Sequence, residues 1–415
     1  MDANLLEWLS LIVRWVHVLF GIMWIGSSIF FNWLDSSFEP LKEPEENCVG
    51  EVWMVHGGGF YHVKKKFLKA EEMPENLYWF KWEAGFTFIS GITLLTIVYY
   101  LTGGAFLIDP TVSSITNSQA IMLGIGTLIG GWAVYDTIWN SPLSKKPMIT
   151  ATACFLMVIG VAYGLTQVLS ARAAYLHTGA MLGTIMAANV WMRILPGQSK
   201  MLKAVQEGKP IDPAPGLKAK MRSKHNNYMT YPVVFIMISN HFPITYQHHL
   251  NWLILAILIV ASAIIKHFLN ISEHFKYWFP RAAVVGGIAL ASLLFISSIP
   301  QKEASTFATD EHNQTLPNKD PKVTSSNEKV KFEDVQKIVK QRCMVCHSAK
   351  PTDDLFKVAP AGVKFDDPKI IKMMAPRIKE RVVVLKNMPF ANKTKITQEE
   401  RNTLGKWISE GANLE

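Results

Sequence analysis

Trp252-Leu253-Ile254-Leu255-Ala256-Ile257-Leu258-Ile259-Val260-Ala261-Ser262-Ala263-Ile264-Ile265 contains no charge in fourteen positions, and the reading of this stretch decides the fold. A helix of about 20 apolar residues matches the hydrocarbon thickness of a bilayer. The stretch extends over 250–268 and is one of eight segments of that kind. The others are 8–33, 82–101, 119–139, 148–170, 174–195, 231–247 and 279–299, of which 231–247 is short and interrupted by Pro243. The first segment has neither a basic leader nor a small-residue cleavage site, so it is expected to remain as a helix. The expected class is all-α: a polytopic membrane helix bundle of about eight spans, residues 1–300, followed by a smaller domain.

The net charge of +9 is concentrated in particular connections, which argues for membrane topology and against nucleic-acid binding. The first connection carries Lys42, Lys64, Lys65, Lys66, Lys69 and Lys81, and the third Lys145 and Lys146. The fifth carries Lys200, Lys203, Lys209, Lys218, Lys220, Arg222 and Lys224, and the seventh Lys276. The second and sixth have no Lys or Arg, and the fourth only Arg172. Positive charge stays on the cytoplasmic side, so both termini are expected outside. Trp8, Trp33, Trp79, Trp82, Trp139, Trp191, Trp252 and Trp278 near segment ends suit the bilayer interface.

Residues 301–329 turn abruptly to Ser, Thr, Asn, Lys and Asp, the composition of a flexible linker. Phe332, Val335, Ile338 and Val339 then recur at helical spacing and lead into Cys343-Met344-Val345-Cys346-His347. This C-x-x-C-H order is that of a covalent c-type haem site, with Cys343 and Cys346 for the vinyl groups and His347 as axial ligand. Zinc would want a second ligand pair and a thioredoxin-like motif a βαβ setting; neither is present in the sequence. Cys48 and Cys154 have no partner at useful spacing and read as structural. Thr397 to Glu400 is a capping box opening a last helix with Leu404, Trp407 and Ile408 on one face. Residues 330–415 are small enough that covalent haem would serve as their core. Met388, in Asn387-Met388-Pro389-Phe390, resembles the axial-Met loop of small class I cytochromes c, while Met373 and Met374 read as core filling.

Ionisable groups inside spans are costly and point to function. An outer layer holds Arg14, His17, His177 and His241, either an electron path, with haem b as one form of it, or hydrogen-bonded structural groups. A cytoplasmic layer holds Glu83, Asp136, Asn189, Arg193 and the run His225-Asn226-Asn227-Tyr228. There Arg193 suits an anion, Asp136 or Glu83 a proton, and the Asn and His groups a heterocycle's edges. His56-Gly57-Gly58-Gly59-Phe60-Tyr61-His62 suggests a close backbone approach, and Gly179 with Gly183 a tight helix contact.

Arg14-Trp15-Val16-His17, Gly21 to Ser28, His56 to Phe60, Phe80 to Ala84, Ala188-Asn189-Val190, Pro196-Gly197-Gln198, His225 to Tyr228 and Ser239-Asn240-His241 resemble the bacterial membrane-bound urate oxidases that carry a C-terminal cytochrome c domain. The resemblance covers nearly the whole chain. It implies oxidation of urate to 5-hydroxyisourate in purine breakdown, with electrons leaving through haem c to a periplasmic or membrane acceptor. The loop charges, with c-type haem normally attached on the periplasmic side in bacteria, lead to the expectation of an inner-membrane location with an external cytochrome. The alternative expectation is a non-catalytic respiratory electron-transfer subunit holding haem b or quinone in its spans.

Overall fold

The computed structural model describes every residue except 1–2, 103, 105, 110–111, 211, 247, 300–328, 354–355, 357, 385, 387, 390–391 and 415. The expected linker at 301–329 thus lies outside the described residues, save its last position. The chain divides into two compact units, Met1–Tyr246 with Trp252–Leu293, and Gln247–Asn251 with Leu294–Glu415. Among the described residues it is mostly helical, at 68%.

All eight apolar segments fall on helices of the first unit or its border: α1 (Ala3–Ser36), α2 (Trp82–Leu95), α3 (Asn117–Asn140), α4 (Pro147–Thr166), α5 (Ala171–Asn189), α7 (Pro213–Ser239), α8 (Asn251–Asn270) and α9 (Trp278–Ser298), with α6 (Leu195–Gln206) between α5 and α7. Six of these, all but α5 and α7, are long and apolar enough to cross a membrane. Their outward surfaces are apolar: Leu11, Ile12, Trp15 and Ile22 on α1 and Val284, Ile288 and Leu290 on α9 are exposed. A soluble bundle would place charge there.

Two expectations need correction. The class is not purely helical: the first connection folds into an antiparallel hairpin, β1 (Cys48–His56) and β2 (Gly59–Lys66). Gly57 and Gly58, at φ +61° and +80°, supply the two-residue turn that needs positive φ at both positions. Nothing lies within 4 Å of a Cβ built at Gly57, Gly58 or Gly59, so the triple glycine serves the turn and not a close approach. The following lysines pair with acids, Lys65 with Asp35 at 2.5 Å and Lys66 with Glu45 at 2.7 Å.

The segment expected at 231–247 is instead the end of a helix that starts at Pro213 and stops at Ser239. Asp212 caps it by accepting from Ala214 N at 2.9 Å, and Pro213 occupies the first turn, where its missing N–H costs nothing. The early start turns a basic loop into a helix with a buried polar stripe. Arg222, Asn226 and Thr230, four residues apart, are all buried. His241 consequently falls beyond the helix, in an exposed turn.

Small residues bring α3, α5 and α7 together. A Cβ at Gly124 would meet Tyr100 Oη at 2.6 Å and His177 Nε2 at 2.7 Å, and one at Gly179 would meet Ile236 Cγ2 at 2.6 Å. Gly183, by contrast, has open space beside it, so only half of the G-x-x-x-G pattern makes the contact. Gly124→Ala is expected to cost roughly 1–3 kcal/mol by overpacking, whereas Gly183→Ala should be neutral or mildly stabilising. Thermal unfolding of the detergent-solubilised chain separates the two.

In the second unit, α10 (Phe332–Arg342) buries Phe332, Val335, Ile338 and Val339, and α13 (Gln398–Ser409) buries Leu404 and Trp407. Thr397 and Glu400 form the expected capping box, Glu400 N donating to Thr397 Oγ1 at 3.2 Å and Thr397 N to Glu400 Oε2 at 2.8 Å. Arg342 Nε reaches Glu400 at 3.0 Å and its Nη1 donates to Thr394 O at 2.8 Å, joining the end of α10 to the start of α13. Between them lie α11 (Pro368–Met373) and α12 (Ala375–Ile378). Met374 is 3% exposed and fills core, as expected.

Candidate functional site

The end of α3, the end of α5 and the first half of α7 share one polar network. Asp136, near the end of α3, sits between two guanidiniums. Arg193 Nε donates to Asp136 Oδ1 at 2.9 Å and its Nη2 to Oδ2, a bidentate pair. Arg222 Nη2 donates to Asp136 Oδ1 at 2.9 Å, and Asn140 Nδ2 to Oδ2 at 3.0 Å. Arg193 projects from a π-helical turn, Val190–Ile194, that continues α5. Such turns insert an extra residue and re-aim the side chains that follow.

One turn away along α5 and α7, Asn189 Nδ2 donates to Tyr135 Oη at 3.1 Å and to Asn226 Oδ1 at 2.9 Å. Tyr135 Oη also lies 2.7 Å from His225 Nδ1, a hydrogen bond whose direction is set by the histidine tautomer. Asn226 Nδ2 donates to Met186 O at 2.9 Å, which fixes the amide's orientation. The His225 ring packs on Trp139 with centroids 4.0 Å apart, and the Arg222 guanidinium lies 4.9 Å over the Tyr135 ring. Asn189 is fully buried, and Arg222 is 2% exposed. Asn189 Oδ1 and Arg222 Nη1 have no hydrogen-bond partner within the described structure.

Of the residues the sequence singled out, Asp136, Arg193, Asn189, His225 and Asn226 are thus brought together. Asn227 points elsewhere, its Oδ1 accepting from Asn270 Nδ2 at 2.8 Å on α8. Glu83 is buried at the start of α2, next to the Trp82–Trp191 contact, and does not join the network. Arg222, Tyr135, Trp139 and Asn140 were not singled out. Arg222 was counted among loop cations; its signal was the spacing Arg222, Asn226, Thr230, which puts three polar groups on one helical face.

Asp136, expected to take a proton, has both oxygens occupied by donors, three from guanidiniums and one from Asn140. The geometry suits a carboxylate that holds two arginines in place. His17 and His177, two of the three histidines expected to form an electron path, have separate hydrogen-bond partners. His177 uses Nδ1 on Ala173 O at 2.8 Å and Nε2 on Tyr100 Oη at 3.0 Å, leaving neither nitrogen open. His17 places Nδ1 against Thr87 O at 3.0 Å and Ser90 Oγ at 3.1 Å.

In the second unit, the chain turns helically through the cysteine motif, with Cys346 N and His347 N donating to Cys343 O at 3.2 and 2.8 Å. Cys343 and Cys346 lie on one turn. Burial pushes the Cys343 thiol up to about 12 and lowers His347, favouring a neutral imidazole. His347 Nδ1 meets Val363 O at 3.0 Å, so Nε2 is the nitrogen left for a metal, the usual outer partner of a ligating histidine being supplied. Met388 is half-buried, and its carbonyl accepts from Arg401 Nη1 at 2.8 Å, which pins the loop that carries it to α13. The donor set of two thiols, an oriented imidazole and a thioether fits covalent haem.

Residues 3–297 match the family described as Urate oxidase N-terminal. No curated protein and no solved structure matches the chain.

Proposed function

The chain belongs to the urate oxidase N-terminal family, and on that premise we propose that it oxidises urate within its membrane helices and delivers the electrons to a haem c held by its C-terminal unit. What supports this reading is the coincidence of the family match with the helical unit that carries the Asp136 network, while the C-x-x-C-H motif lies outside the matched residues. Urate and water give 5-hydroxyisourate, two electrons and two protons. Bound at Cys343, Cys346 and His347, haem c supplies a one-electron acceptor, so one urate is drained by two successive transfers to a respiratory acceptor beyond it.

The chain's own groups divide the remaining work. Asp136 fixes the guanidiniums of Arg193 and Arg222, which neutralise an anionic substrate. Tyr135, under the Arg222 guanidinium, and His225, joined to it by a 2.7 Å hydrogen bond, lie behind the arginines and are the pair available to relay a proton away from the substrate. Lysines cluster in the connections that the charge bias assigns to the cytoplasm, where urate arises, and the haem motif belongs to the opposite, periplasmic side of an inner membrane.

Turnover under air by the purified full-length chain is the test. Urate consumption should depend on an added electron acceptor and form no hydrogen peroxide. Acceptor-independent consumption with stoichiometric peroxide would mean that oxygen is reduced directly and the haem route is not used. A second expectation concerns Met388. Met388→Ala should retain covalent haem but lose the methionine-to-iron charge-transfer band; persistence of that band would move the ligand to Met373 or Met374.

A further inference from the structure

A cleft opens beside the Asp136 network where α5 ends and α6 and α7 pack together. Its volume is 320 Å³, within the range of small-molecule sites. Gly197 permits the narrow α6–α7 crossing on its wall, since a Cβ there would lie 2.9 Å from Pro215 O. Resting on the urate reading above, we infer that this cleft is the substrate site, with Arg222 Nη1 as its fixed donor, and that it takes a planar heterocyclic anion bearing both carbonyl oxygens and ring N–H groups.

The first support is an unmet hydrogen bond. Arg222 lines the cleft and is 2% exposed; its Nη2 is used on Asp136, but Nη1 has no partner. A buried guanidinium nitrogen without an acceptor is costly, and a ligand oxygen is the group that would satisfy it. The second is charge. Arg193, Lys200, Lys218 and Arg222 line the cleft against one lining carboxylate, Asp212, which is engaged as the cap of α7. The N-terminus of α7 adds its own partial positive charge.

The third support separates a heterocycle from a simple anion. Asn140 also lines the cleft, and with Nδ2 held by Asp136 its Oδ1 is left to accept from a ring N–H. Phosphate at neutral pH is chiefly an acceptor and makes poor use of that group. Met192 and Met221 offer polarizable, adaptable walls for a flat ring. Lys200 and Lys218 are exposed, so they draw an anion toward the opening without being part of the packed core.

Equilibrium dialysis of radiolabelled urate against the oxidised, detergent-solubilised full-length chain tests the assignment without turnover. Saturable binding is expected, weakened about tenfold or more in Arg222→Gln, the loss of one charge-assisted hydrogen bond. Lys200→Gln with Lys218→Gln, both at exposed positions that do not threaten folding, should weaken binding further from low salt than from high salt. Equal affinity in all variants would overturn the assignment, as would absence of saturable binding. Displacement of urate by inorganic phosphate at comparable concentration would make the cleft a general anion site and also overturn it. Saturable, Arg222-dependent urate binding without any haem reduction would instead sink the oxidation reading and leave the cleft standing.

Discussion

Replacing Asp136 with alanine is expected to destabilise the membrane unit by about 3–5 kcal/mol, the penalty for leaving a buried charge without its counter-ion. The reason lies in the asymmetry of its two partners. The Arg222 side chain is 2% exposed and held on its buried side by Asp136, whereas that of Arg193 is 41% exposed and can turn toward solvent. Arg193→Ala should therefore cost no more than about 1 kcal/mol while impairing urate-driven reduction. Thermal unfolding of the purified variants, followed by tryptophan fluorescence, ranks them. An Asp136→Ala protein that melts like the parent, or an Arg193→Ala protein that falls as far, would show that the buried guanidinium is not the element Asp136 holds in place.

The second large effect is on electron delivery. Cys343→Ser with Cys346→Ser removes both thioether bonds, so haem should no longer survive denaturation with the chain, and urate-driven electron flow should drop to background. His347→Ala should behave differently. It leaves both attachment points intact, so covalent haem remains, but the imidazole set by Val363 O is gone and the iron spectrum changes. Haem staining after denaturing electrophoresis reads attachment, and absorption spectra read ligation. Covalent haem in the double serine variant, or an unaltered spectrum in His347→Ala, would contradict the assigned roles.

The helical segments were readable because a span must satisfy its backbone internally and be apolar along its whole length. The boundaries of α7 were not. Its first turns are basic and sit outside any apolar window, so composition called for a loop, while Asp212-Pro213 and the four-residue spacing of Arg222, Asn226 and Thr230 carried the helix. The hairpin was hidden for a related reason: Gly57 and Gly58 are a turn signal, but β1 and β2 carry no clean alternation to accompany it, their exposed positions including Val55, Phe60 and Tyr61.

Within the site, the ionisable members Asp136, Arg193 and His225 stood out because charge in a span is rare. Tyr135 and Trp139 did not, since an aromatic near a helix end reads as an interface residue. Only the fold reveals that they bracket His225, at 6.0 and 4.0 Å between ring centroids. Asn227 was grouped with Asn226 by adjacency, but neighbours on a helix are about 100° apart, and the two amides serve different partners.

The central claim is that the helical unit oxidises urate and the C-terminal unit carries the electrons away. Adding urate to the oxidised, fully haem-loaded protein under strict exclusion of oxygen, while recording the haem c α-band, tests it most directly. The band should rise to full reduction with half an equivalent of urate per haem. No reduction, in protein whose haem is still reduced by dithionite, would contradict it.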